Sequence, residues 1–330
     1  MKAIQMTETG GPDVLKYVDL PTPKPGSGEV LVKAHAIGVC MPEIYVRQGV
    51  YAWMPPLPLT PGIEMSGTVV ETGSGCTQLR IGQKVFVCAR EFKERANCYA
   101  EYITVPENRI YAVPDGVDLD QVAGLANYQV AWHVLNSALK GFQYDSVLVI
   151  AAAGGVGTAL VQLAKAYGKR VIGVVSSAER AAFVRAQGAD ETIDRKHGNV
   201  VEQTLQLTNG RGVDLIVDCV GGPRMTALFD ALERFGMLLL YGRIEGPATG
   251  NIHDAVHKKP WRSGAFRYFT MHTLDDWPEL RARCTHDLLR LLSEGKIRVP
   301  IYERIPLAEA PRAHQVFESG QVMGKLIMKP

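Results

Sequence analysis

Cysteine and unbalanced charge are both scarce in this chain of 330 residues. The six cysteines, Cys40, Cys76, Cys88, Cys98, Cys219 and Cys284, form no Cys-x-x-Cys pair. A dense disulfide framework is therefore excluded, and reduced thiols in a cytoplasmic protein are the expectation. Formal net charge is only +2, both signs are interspersed, and there is no long basic run. Neither nucleic acid nor an anionic membrane is expected as a partner. The first ten residues lack the apolar core of a secretion signal. Internal repeats and low-complexity segments are also missing. What remains is ordinary for a soluble globular protein of about two domains, with 46% hydrophobic and 21% charged residues.

The most informative stretch runs from Asp145 to Ala164. Ser146 to Ile150 read as a buried strand, and Thr158 to Tyr167 carry apolar residues at helical spacing. Between them Gly154, Gly155 and Gly157 permit a tight turn. Nothing from Ser146 to Ala164 is charged, but three glycines within four residues argue against a membrane helix. A glycine turn at a helix N-terminus sets backbone N–H groups and the positive dipole end against an anion. A glycine cluster alone would also suit any strand–turn–helix.

A second strand–helix unit follows. Val171 to Val175 form the strand, Ser176 to Arg180 open the helix, and Glu191 to Asp194 make a third short strand before Arg195. Dinucleotide folds that bind a free ribose 2′-hydroxyl place an acid about 20 residues after the glycines. Here the strand ends Val175-Ser176-Ser177, with Arg180 in the next turn. Hydroxyls beside guanidinium groups suit a 2′-phosphate, so Ser177, Arg180 and Arg195 point to NADPH. Solvated surface arginines, with Glu179 as the acid, are the competing reading.

The N-terminal part reads as β-rich. Short strands are expected at Lys2–Met6, Val14–Asp19, Glu29–Gly38, Glu64–Thr72 and Gln83–Ala89, with a helix over 42–48 opening at Pro42. From Leu119 to Ala138 the pattern is helical. Strands at Val213–Val217 and Met237–Tyr241 then continue the alternation, which leads to a doubly wound parallel sheet. Periodicity lapses from Trp261 to Tyr268. An amphipathic helix at Leu280–Ser293 and strands at Ile301–Ile305 and Lys325–Met328 close the chain.

Six motifs, taken in order, carry a resemblance across nearly the whole chain. They are Gly-Gly-Pro-Asp-Val-Leu at 10–15, Pro-Gly-Ile-Glu-Met-Ser-Gly-Thr-Val at 61–69, Ile-Gly-Gln-Lys-Val at 81–85, Ala-Glu-Tyr-Ile-Thr-Val-Pro at 100–106, Ala-Ala-Gly-Gly-Val-Gly at 152–157 and Asp218-Cys-Val-Gly-Gly. Gly324-Lys-Leu-Ile completes them. The sequence resembles the medium-chain dehydrogenase/reductase superfamily, in its zinc-independent quinone oxidoreductase branch, the ζ-crystallin-like one. The resemblance implies an α/β protein with a GroES-like β-rich catalytic domain over 1–121 and 267–330. A Rossmann NADPH-binding domain of doubly wound parallel sheet would occupy 122–266, with the nicotinamide meeting its substrate between the two. It further implies that Gly154, Gly155, Val156 and Gly157 lie at the pyrophosphate, and that Ser177, Arg180 and Arg195 hold the 2′-phosphate. Cys219, Val220, Tyr241, Gly242 and Arg243 would line the cofactor, and Gly324 and Lys325 would touch it near the nicotinamide.

Zinc-dependent relatives place a ligand where Cys40 stands and a histidine where Ile63 stands. Ile63 has no donor, and Cys88 and Cys98 make a single pair rather than a four-cysteine lobe, so no metal is expected. Hydride transfer then needs a protein group to meet the oxygen that gains charge. Tyr45 is the first candidate, with a packed interface tyrosine as the alternative. Quinone reductases of this branch generally have an asparagine at the position of Cys40. A thiol there is a weaker donor, and Cys40 reads either as a site residue or as a buried small hydrophobe. Tyr51, Trp53, Tyr128, Trp132 and Phe266 suggest aromatic walls for a small planar or apolar carbonyl substrate. The charged 89–98 segment reads as a solvated loop. The expected activity is NADPH-dependent reduction of a quinone or an α,β-unsaturated carbonyl. Enoyl-thioester reduction, a specialised biosynthetic reductase, and NADPH binding without turnover are the rivals. The resemblance also implies a homodimer.

Overall fold

The computed structural model describes residues 1–330, which divide into two compact units, Met1–Gln129 with Arg281–Pro330 and Val130–Leu280. In the first unit β1 (Lys2–Gln5) pairs antiparallel with β2 (Lys16–Asp19). The long strand β3 (Glu29–Gly38) follows, and only Lys33 and His35 on it are exposed. Nearly continuous burial marks a strand covered on both faces. β3 pairs antiparallel with β4 (Glu64–Thr72) and β6 (Tyr102–Pro106), while β5 (Lys84–Cys88) joins β4 to β7 (Tyr111–Ala112). Between β3 and β4 lies α1 (Met41–Gln48). It begins at Cys40 with Pro42 in its first turn and stops at Gly49 in the left-handed conformation. A short α2 (Leu119–Val122) leads to α3 (Leu125–Leu135), within which the chain passes into the second unit.

The second unit alternates β8 (Ser146–Val149), α4 (Gly155–Ala166), β9 (Arg170–Val175), α5 (Ala178–Ala186), β10 (Glu191–Asp194), α6 (Val200–Leu207), β11 (Val213–Asp218), β12 (Leu232–Leu240), α7 (Ile252–His257) and β13 (Ala265–Tyr268). All strands are parallel, in the order β10-β9-β8-β11-β12-β13. The order runs outward in both directions from β8, so a topological switch point lies between β8 and β11. In open parallel sheets ligands bind outside the strand C-termini at such a point. The core of this unit gathers Leu148, Ile172, Val174, Ile216 and Leu238, all buried.

The chain then returns through α8 (Pro278–Ser293), β14 (Ile301–Pro306), α9 (Ala310–Glu318) and β15 (Lys325–Lys329). β15 pairs parallel with β14 and antiparallel with β3, so the last strand completes the sheet the first residues began. No helix is long and apolar enough to cross a membrane.

The fold adds elements to the sequence expectation, among them β6, β7, α6, α7 and α9, and one of the additions extends the parallel sheet. The lapse in periodicity over Trp261–Tyr268 hides β13, which pairs with β12 from Met237↔Ala265 to Leu240↔Tyr268. An edge strand of four residues, all at least partly exposed, carries no apolar run to betray it. By contact, residues through Leu280 group with this second unit.

Gly38, at the end of β3, has no room for a side chain. A Cβ there would lie 2.3 Å from the Ala123 carbonyl and 2.4 Å from Glu64 Oε1. Gly38→Ala is expected to cost about 1–3 kcal/mol and to lower the Tm by about 3–10 °C. Unchanged thermal unfolding by circular dichroism would contradict this.

Candidate active site

Glu64 opens β4 with its side chain fully buried, and Lys325 opens β15 with only 2% of its own exposed. Lys325 Nζ donates to Glu64 Oε1 at 2.5 Å, to Cys40 Sγ at 2.9 Å and to the Val39 carbonyl at 3.0 Å. An ammonium has three protons, and here three acceptors take them. Glu64 Oε1 also accepts from the Cys40 thiol at 3.1 Å, and Glu64 Oε2 accepts the Ala126 backbone N–H at 2.7 Å. One carboxylate therefore joins the end of β3, the start of β15 and the start of α3. Burial penalises the Lys325 charge, but the Cys40 sulfur and Glu64 outweigh it and raise its pKa above the ordinary lysine value.

A second carboxyl lies in the same buried region. Glu43 Oε2 accepts the Cys40 N–H at 3.1 Å, and Oε1 accepts the Ile63 N–H at 3.0 Å. Burial pushes its pKa up to about 7, against the pull of Lys325 and the two backbone donors. Burial also lifts the Cys40 thiol well above its usual range, although Lys325 draws it down. Cys40 is thus a neutral thiol fixed by its neighbours, not an activated nucleophile.

These residues do not suit a zinc ion. The sulfur of Cys40 already faces an ammonium at 2.9 Å, which would repel a cation, and the neighbouring Ile63 offers no donor atom. No group of three His, Cys, Asp or Glu side chains is arranged to hold a metal.

Asn127 borders this cluster, and Tyr45 stands on α1 two residues beyond Glu43. Tyr45 is half-buried on α1, and its hydroxyl makes no hydrogen bond within the chain. Asn127 is half-buried on α3, with Oδ1 3.9 Å from Cys40 Sγ. Tyr51 and Trp53 stand with ring centroids 6.0 Å apart on the proline-rich loop, Trp53 being 49% exposed.

Within the second unit, the glycine turn is as the sequence anticipates. Gly154 is the N-cap of α4, and the N–H groups of Gly155, Val156 and Gly157 form its first turn, where no intrahelical acceptor exists. A Cβ on Gly157 would lie 2.3 Å from the Ala151 carbonyl, so only glycine lets α4 approach β8 this closely. Ser177 caps α5, accepting the Arg180 N–H at 3.3 Å. The Arg195 N–H donates to the Val175 carbonyl, which brings Arg195 and Ser177 to the same corner at the C-termini of β9 and β10. No acid ends β9. Beyond the switch point, Ile244 N–H donates to the Cys219 carbonyl and Glu245 N–H to that of Val220, zipping the ends of β11 and β12 together. A Cβ on Gly242 would strike the Cys219 backbone, and Arg243 follows it in the same loop. Tyr241 has its hydroxyl buried beside the Cys219 thiol. A turn of open N–H groups beside a hydroxyl and a guanidinium is a fit for a phosphorylated dinucleotide.

Several expected site residues are placed differently. Lys325 has all three protons taken by Val39, Cys40 and Glu64. Gly324, at φ +76°, packs against Pro300 and sets the turn that delivers Lys325. Tyr128 is buried with its hydroxyl on the Arg298 carbonyl at 2.7 Å, which makes it a packing residue rather than an aromatic wall. Phe266 lies on β13, partly buried, packed against Phe229 at the edge of the second unit's core. Trp132 is buried beside His133. Glu43, Glu64 and Asn127 lie outside the expected set. For Glu64 the signal was present, a carboxylate opening a strand whose next three residues have no charge.

An all-parallel sheet with a glycine turn at its switch point, inserted into a β-rich unit built from both ends of the chain, is the architecture of the medium-chain dehydrogenase/reductase superfamily. The family model of zinc-binding dehydrogenases matches residues 155–285, and that of the alcohol dehydrogenase GroES-like domain matches 26–115. A quinone oxidoreductase of Pseudomonas aeruginosa is 34% identical over 100% of this chain and 99% of its own length. One from Rattus norvegicus is 31% identical over 99% and 97%. The structure of Escherichia coli quinone oxidoreductase complexed with NADPH superposes with a TM-score of 0.88 at 27% identity, covering 100% of both chains. The chain belongs to the quinone oxidoreductase family.

The raised pKa of Glu43 has a measurable sign. Its folded value of about 7 lies above the ordinary 4.5. Between those pH values the native state keeps a proton that the unfolded chain has released. Its contribution to stability falls as pH rises through that window and levels off above it. The slope is at most about 1.4 kcal/mol per pH unit for one proton. Urea unfolding between pH 5 and 8 should show a shallower slope for Glu43→Gln than for the parent protein. Identical slopes would remove the assignment.

Proposed function

We propose that this protein is a zinc-independent, NADPH-dependent quinone oxidoreductase, also able to reduce an α,β-unsaturated carbonyl. The observation that carries this reading is the pairing of two features. One is a phosphate-binding turn with a hydroxyl and a guanidinium at the C-termini of β9 and β10. The other is a catalytic cluster in which a lysine, not a metal, is the buried cation. The full-length similarity to quinone oxidoreductases, one of them complexed with NADPH, supports it.

In this reading Gly155, Val156 and Gly157 bind the pyrophosphate through backbone N–H groups, and Ser177, Arg180 and Arg195 take the 2′-phosphate. Reduced nicotinamide supplies a hydride, and the acceptor gains that hydride and a proton, a quinone becoming a hydroquinone. Tyr45 donates its phenolic hydrogen bond to the oxygen on which charge develops. Lys325 and Glu64 hold Cys40 and the first turn of α3 in place without meeting the acceptor. Tyr51 and Trp53 offer faces for a flat ring. The six free thiols fit a reducing, cytoplasmic setting. The open edge of β13, with Tyr268 60% exposed, is the surface through which two copies would pair.

The test is anaerobic oxidation of NADPH, with NADH alongside, against an o-quinone, a simple enone and a crotonyl thioester. Turnover is expected with NADPH and the quinone. Arg180→Ala combined with Arg195→Ala should reduce the preference for NADPH over NADH by about 10–100-fold. Equal use of both cofactors by the parent protein would overturn the 2′-phosphate site. In the same assay Tyr45→Phe should lower kcat about tenfold or more. An unchanged kcat would remove the phenol from the reaction.

A further inference from the structure

The geometry points to Asn127 as a catalytic residue, its amide N–H donating to the carbonyl oxygen of the acceptor. This rests on the reading of the protein as a hydride-transferring reductase. Three observations lead to it, all within the first unit.

The first is how firmly the residue is held. Ala126, before it, gives its N–H to the buried Glu64 carboxylate at 2.7 Å, and Tyr128, after it, anchors its hydroxyl on the Arg298 carbonyl at 2.7 Å. Asn127 therefore projects from a backbone fixed on both sides, and a donor held this way needs little reorganisation when charge appears. The second is the state of its amide. Oδ1 faces the Cys40 sulfur at 3.9 Å, while the Nδ2 hydrogens find no acceptor in the chain. Asn127 is half-buried, so those hydrogens lie at the boundary of the cluster rather than in open solvent.

The third is the condition of its neighbours. Every proton of the Lys325 ammonium is taken, and the Cys40 thiol lies 3.1 Å from a carboxylate oxygen that outcompetes an amide oxygen at 3.9 Å. Neither group can turn toward a substrate without breaking a buried ion pair. Next to them Asn127 is the polar side chain with uncommitted donors. A donor left open beside this cluster suits an oxygen that gains charge, so the acceptor class is a compound with a carbonyl conjugated to the carbon that receives the hydride.

Three measurements on purified full-length protein test this: kcat/KM with p-benzoquinones of graded electron demand, NADPH binding by fluorescence, and thermal unfolding. Asn127→Ala removes the amide. Asn127→Asp keeps the shape and the oxygen facing Cys40 but has no N–H. Both should lower kcat/KM about 100-fold, with NADPH affinity and Tm held within twofold and about 2 °C of the parent. The dependence of log kcat/KM on acceptor reduction potential should steepen, because a weaker acceptor relies more on the missing donor. An Asp variant with parental kcat/KM overturns the donor role and leaves Oδ1 as an acceptor. Loss of kcat/KM in proportion to NADPH affinity or to Tm overturns it in favour of a structural role. Failure of the parent protein to reduce any carbonyl acceptor would instead remove the reading on which the inference rests.

Discussion

A lysine ammonium placed in a protein interior loses its hydration, and only a partner charge with good geometry and full hydrogen bonding offsets that loss. Lys325 and Glu64 meet this condition, and in doing so they constrain much of the first unit. The carboxylate fixes the ammonium, the thiol of Cys40 and the N–H of Ala126; the ammonium fixes the Val39 carbonyl and the same thiol. Removing either partner would leave an uncompensated charge among apolar strands, a loss of about 3–5 kcal/mol. The pair is therefore a buried positive centre with its counterion that locks the surrounding segments. It is a cation that cannot be chelated away or exchanged.

The two units solve different problems by different means. The second uses local geometry: a strand ends, a glycine turn opens a helix, and backbone N–H groups are left open with no long-range partner involved. The first brings together residues from the end of β3, the start of β4, the start of α3 and the start of β15. Its chemistry depends on tertiary placement. The glycine turn is thus local to Gly154–Gly157, whereas the buried cluster joins residues far apart in the chain.

The same division decides what was legible in the sequence. The glycine turn, the missing acid after β9 and the Ser177–Arg195 corner lie in short segments whose residue types announce their role. The doubly wound sheet followed from its strand–helix alternation, except for β13, where Ala-Phe-Arg-Tyr on an edge has no buried face long enough to register as a period. In the cluster, Cys40 and Tyr45 stood out by position, but Lys325 drew attention as a cofactor contact because nothing nearby in sequence discloses a carboxylate partner 261 residues away. Tyr128 read as an aromatic wall for a similar reason: its hydroxyl partner, the Arg298 carbonyl, is 170 residues away. Asn127 was invisible because an asparagine on a helix carries no signal until its neighbours are known.

The order in which β15 and β3 are made has a kinetic consequence. The chain is synthesised from the N-terminus, and domains tend to fold as they emerge. The second unit has all its strands available once Tyr268 is out of the ribosome. The first has its central sheet by then but lacks β14, β15 and the ammonium of Lys325. Until that strand is added, Glu64 lacks the ammonium with which it pairs in the finished fold. The buried ion pair of the first unit is thus completed only by the last strand to be made.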